Sequence, residues 1–128
     1  AVTKGDNTGT LALGGAFTIA TKTISPGVTS RIWAGGFAVM EIVSAVNNTP
    51  ELALVIDGTV VDTANFATGV NTGDSVKNYS AVVSGAAAEG SGSKICLLRI
   101  TNRTSGSSSD AEYDVIGGIV CGAMKASS

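Results

Sequence analysis

The sequence predicts an all-β chain: an antiparallel β-sandwich of about seven or eight strands in a single domain. Three observations carry that prediction. No window of about 11 residues repeats its apolar positions at the spacing of an amphipathic helix. The apolar stretches are short, rich in β-branched residues, and cut by Gly, Pro, Asn and Asp at intervals of roughly 8–15 residues. One of those cuts, Asp57-Gly58 between ELALVI and TVVDTA, is a dipeptide that favours the type I′ turn of a hairpin. A length of 128 residues suits one domain with a real core.

Residues 1–9 (AVTKGDNTG) are polar and contain Gly, and they read as a flexible N-terminal arm ahead of a sandwich spanning 10–128. No basic segment followed by an apolar one is visible at Ala1, so no secretory leader is expected. The first strand runs from Leu11 to Thr23, with Gly14-Gly15 marking a bulge or a close backbone approach. Ser25-Pro26-Gly27 is a turn, since Pro presets φ and Gly accepts positive φ. The apolar stretch from Thr29 to Val46 reads as one bent strand or a tight corner at Gly35-Gly36. Asn47-Asn48-Thr49-Pro50 is expected to be a loop. Leu52–Ile56 and Thr59–Thr63 then pair across Asp57-Gly58.

Ala64–Ser75 is a loop with room for a short edge strand, and Tyr79–Ala87 is a further strand. The Ala content of AVVSGAAAEG suggests a helix, but its Val-Val-Ser-Gly start favours strand. EGSGS (89–93) is a turn. Lys94–Asn102 is a strong strand, apolar on both faces in its middle, and Arg103–Asp110 is a polar loop. Glu112–Met124 is the last strand and holds a third glycine pair, Gly117-Gly118. Glycine weakens strands, so three such pairs mark either bends that close a jelly roll or places where chains approach closely at a symmetry axis.

Composition excludes several kinds of function. Eight Lys and Arg against ten Asp and Glu give a net charge of -2, which offers no basic face for nucleic acid or for an anionic membrane. No apolar run reaches the ~20 residues of a spanning helix. Histidine is absent, which removes the commonest general base and the commonest zinc ligand together. The chain is read as a non-enzyme with no cofactor. Only 14% of residues are charged, against roughly 25% in an ordinary soluble domain. A protein that hides surface in an assembly needs less of a charged coat.

The remaining chemical candidates are few. Cys96 and Cys121 sit in two apolar strands; buried free thiols are the favoured reading, and a disulfide is possible if the strands are neighbours. Asp110, Glu112 and Asp114 at i, i+2, i+4 share a strand face and have the chemistry to hold Ca²⁺, but a solvent-facing edge is favoured, so no metal is expected. The glycine pairs lack the Gly-Lys-Ser/Thr ending of a phosphate loop. Trp33 and Phe37 share one parity, while Ile32, Ala38, Met40 and Ile42 take the other, so both faces of that strand are apolar. One face suits the core and the other a partner chain. The expected interface residues are Trp33, Phe37, Val39, Gly35, Gly36, Gly117 and Gly118.

The segments SPGVTSRIWAGGFAVMEI, ELALVIDGTVVDTA, KICLLRITNRT and YDVIGGIVCGAM together resemble the small jelly-roll modules of tailed phages, which are similar to tumour-necrosis-factor-like folds. The resemblance spans roughly residues 24–125. It implies a jelly-roll-like sandwich and a structural virion protein: a homotrimeric decoration (cement) protein on the outside of a phage head. Its partners would be further copies of itself and the phage major capsid protein, and it would be made in the host cytoplasm. Two alternatives share that fold: a fibre tip or receptor-binding domain recognising a glycan, and a self-assembling single jelly-roll coat protein.

Overall fold

The computed structural model describes residues 3–11, 16–44, 46–66, 70–71, 77–103 and 111–125. Nine strands are formed by these residues: β1 (Thr3–Leu11), β2 (Ala16–Ile24), β3 (Ser30–Ser44), β4 (Val46–Ile56), β5 (Thr59–Asn65), β6 (Val70–Asn71), β7 (Lys77–Gly90), β8 (Lys94–Arg103) and β9 (Ala111–Lys125). They pair only antiparallel. One sheet has the order β1-β9-β3-β7 and the other β2-β8-β4-β5, with the two-residue β6 beside β4. Because β1 pairs with β9 and β2 with β8, so that early strands lie beside late ones in both sheets, the chain is a jelly roll, two Greek keys wound into a double sheet.

The period-2 pattern explains how the sheets close on each other. Ile32, Ala34 and Ala38 of β3, Val83 of β7 and Val115 and Ile119 of β9 turn inward from one sheet. Leu52, Leu54 and Ile56 of β4 and Cys96, Leu98 and Ile100 of β8 meet them from the other. Most of these side chains are fully buried, and burying each stabilises the fold by about 1.5–3 kcal/mol before the entropy of ordering is charged against it.

The Asp57-Gly58 hairpin forms as its chemistry requires: φ is 50° at Asp57 and 84° at Gly58, and Ile56 faces Thr59. Gly27, at φ 77°, turns the chain after Pro26 and donates its N–H to the Ser91 carbonyl at 3.1 Å. Ser25 and Ser93 hydroxyls meet at 3.0 Å, and Asp57 N–H donates to the Ile95 carbonyl at 2.8 Å. These contacts tie three turns into one end of the sandwich.

Four expectations are corrected. The polar lead-in is not a free arm, because Thr3–Leu11 pairs with Ala111–Ile119 of β9 as the edge strand of its sheet. Residues 47–50 continue β4 and are not a loop; Thr49 and Pro50 lie opposite Arg103 and Asn102 of β8. Leu11–Thr23 is not continuous strand: β1 ends at Leu11, β2 starts at Ala16, and the irregularity in β2 lies between Thr18 and Ala20. Gly14-Gly15 and most of the loops at 64–75 and 103–110 lie outside the described residues. Finally, Cys96 and Cys121 are bonded to each other and are not free thiols; β8 and β9 belong to opposite sheets, so the bond crosses the core.

Candidate functional site

The outward face of β3 and its two neighbours is where the fold leaves apolar side chains uncovered. Alternation along β3 sends Trp33, Gly35, Phe37 and Val39 to the surface, opposite to the buried Ile32, Ala34 and Ala38. Register adds Val82 of β7 beside Phe37, Ile116 of β9 beside Val39, and Val120 beside Gly35. Trp33, Phe37 and Val39 are 40%, 44% and 41% exposed, and Val82 reaches 72%. Scattered exposed apolar residues are ordinary, but a contiguous band across three strands is the mark of an interaction surface.

Two glycine positions shape this face. Gly122 lies opposite Trp33, and a Cβ there would land inside the indole, against Cζ2, Cε2 and Nε1. The ring therefore lies across bare β9 backbone, as an aromatic does when it covers a strand glycine. The indole packs on β9 at Gly122, and Trp33 as a whole stays 40% exposed. Two residues further along β3, Gly35 and Gly118 floor a trough of about 270 Å³ walled by Phe37, Val82 and Val120, with Ser84 at its rim. A Cβ at Gly35 would meet nothing nearer than 3.8 Å, so the trough is open because the residue has no side chain.

The other two expected glycines point elsewhere. A Cβ at Gly36 would come within 2.5 Å of Leu98 Cδ2, and one at Gly117 within 2.7 Å of the Phe37 carbonyl. Both glycines face inward: Gly36 admits Leu98 of the opposite sheet, while Gly117 lies closest to its neighbour strand β3, with Ile19 of the opposite sheet next at 3.3 Å. Parity shows this in hindsight, since Gly36 alternates in step with Ile32 and Ala38. Val82, Ile116, Val120, Gly122 and Met124 were not among the expected surface residues. Their place on this face depends on cross-strand register, which no local signal carries.

Charge is confined to the margin of the described patch. Arg31, one step beyond Trp33 on the same face, pairs with Glu89 at 3.8 Å, both exposed. An apolar centre with a polar rim is the usual anatomy of a protein interface. The edge strand β7 is also guarded: Asp62 of β5 accepts the Ser84 backbone N–H at 2.9 Å and the Thr63 N–H at 3.0 Å. Among the described residues no group of three His, Cys, Asp or Glu converges to hold a metal. Asp110 and the side chains of Glu112 and Asp114 lie outside the described residues. No helix among the described residues is long and apolar enough to cross a membrane.

No protein-family model and no curated protein matches this sequence. Among solved structures, a chain of infectious bursal disease virus, Gt strain, is similar over 94% of this chain and 32% of its own, with TM-score 0.51 and 18% identity. The Gx strain is similar over 100% of this chain and 36% of its own, with TM-score 0.50 and 13% identity. The likeness is one of fold. This chain spans about a third of the length of those viral chains. A family 35 carbohydrate-binding module from an environmental isolate is more distant, with TM-score 0.43 and 11% identity over 91% of this chain and 74% of the module.

Proposed function

We propose that the chain is a structural virion protein that self-associates through the outward face of β7, β3 and β9. In its finer form the reading is a homotrimer on the outside of a phage head, gripping the major capsid protein and strengthening the shell without catalysis. The observation that carries it is the uncovered band of Trp33, Phe37, Val39, Val82, Ile116 and Met124 across three adjacent strands. Low charge and a jelly roll shared with viral chains support the same reading. The driving force would be apolar burial at about 25 cal/mol per Å², opposed by the entropy of association.

Light scattering after size exclusion tests self-association, and a mass near three protomers is expected. Co-sedimentation with purified capsids then tests decoration. Phe37→Asp places a charge on a residue already 44% exposed, so the fold should survive while assembly fails. A Phe37→Asp protein that assembles as well as the parent would sink the proposal. The partly exposed Trp33 favours a second reading, a receptor-binding tip that stacks a sugar ring. A glycan-array signal lost in Trp33→Ala, with no capsid binding, would select it.

A further inference from the structure

We infer that the trough floored by Gly35 and Gly118 is a socket for the same face of a second copy of this chain. The inference rests on the self-association proposed above and adds which part of the face does the locking. Six large apolar residues of the face are 40–72% exposed on three adjacent strands, a contiguous band of the kind that marks a protein interaction surface. A band that wide needs an occupant as large as a protein surface. The occupant must also be apolar, because the trough walls are Phe37, Val82 and Val120 and the charged pair Arg31–Glu89 stands outside it.

The face itself supplies the matching shape. Phe37 and Val82 lie side by side across β3 and β7 and form a ridge, with Val82 the most exposed of the large apolar residues described. Gly35 is two residues along the strand, so ridge and trough are offset by about 7 Å. Around a threefold axis each copy would lay its ridge in the next copy's trough, the heterologous contact that a closed trimer needs. The trough volume of about 270 Å³ is many times what a water needs and is open to a branched or aromatic side chain. The alternative route to assembly, edge pairing along β7, is obstructed where Asp62 occupies the Ser84 N–H.

The deciding variant is Gly35→Val. A Cβ at this position contacts only the Val83 carbonyl at 3.8 Å and Val120 Cγ1 at 3.9 Å, and a β-branched residue suits a strand. The fold should therefore hold, which thermal melting checks. Association, read by light scattering across a dilution series, should weaken at least tenfold because the socket is filled. Adding Val120→Ala to Gly35→Val reopens space beside the new side chain and should restore part of that loss. If the face were merely sticky, Gly35→Val would enlarge it and associate as tightly as the parent or more so; that result overturns the socket while leaving self-association intact. A parent chain that stays monomeric at every concentration overturns both.

Discussion

At the scale of single residues, glycines decide what packs where. Gly36 lets the opposite sheet approach and Gly117 lets β9 lie close to its neighbour β3, so each has a different neighbour to displace. A Cβ at Gly117 would press on backbone, the Phe37 carbonyl, which cannot rotate away. One at Gly36 would press on the Leu98 side chain, which is fully buried and must repack. Gly117→Ala should therefore cost about 2–3 kcal/mol and Gly36→Ala about 1–2 kcal/mol, the range of overpacked cores. Denaturant midpoints at unchanged slope would measure both, and equal or absent losses would contradict these contacts. Gly122→Ala has a cleaner readout, because Trp33 is the sole tryptophan. Lifting the indole off β9 should shift its emission to longer wavelength with little change in secondary structure. Which glycines point inward was legible from parity along β3. That Gly122 lies under Trp33 was not, since it follows from a pairing between residues 89 positions apart.

At the scale of elements, features written in local chemistry were the readable ones. Asp57-Gly58 carries its turn in two residues, and the hairpin appears with the expected positive φ at both. Gly58→Ala, at φ 84°, should destabilise by about 1 kcal/mol, seen as a lower melting temperature. β1 and the start of β4 were unreadable for the opposite reason. TKGDNTGTL and VNNTP have weak strand propensity, and they are strands because β9 and β8 offer open ladders. Asp62 belongs to this scale too, since its carboxylate ties β5 to the edge of β7. Asp62→Val should free the Ser84 N–H and raise the rate of thioflavin-positive aggregation, whereas Asp62→Asn, which keeps an acceptor, should do so far less.

At the scale of the whole molecule, the Cys96–Cys121 bond joins the two sheets and closes a loop of 25 residues in sequence separation. Chain-entropy reasoning assigns such a loop about 3.5 kcal/mol. Reductant should therefore lower the melting temperature by roughly 10 °C without disassembling the sandwich. An unchanged melt in reductant would show that the bond contributes nothing to stability. The fold class was legible because alternation and turn residues recur along the whole chain. The bond across the core was not, because it depends on which strands face each other between sheets.

The place of β9 between β1 and β3 also governs when the protein can exist at all. The last described strand to leave the ribosome is an interior strand of its sheet. Until residues 111–125 emerge, β1 has no neighbour in that sheet, β3 is an unprotected edge, and Ile119 is missing from the core. The strands made before it must therefore wait, apolar surfaces open, for the fifteen residues of β9 to close the roll. Synthesis and folding are uncoupled by topology, and that interval is when a nascent chain most needs a chaperone.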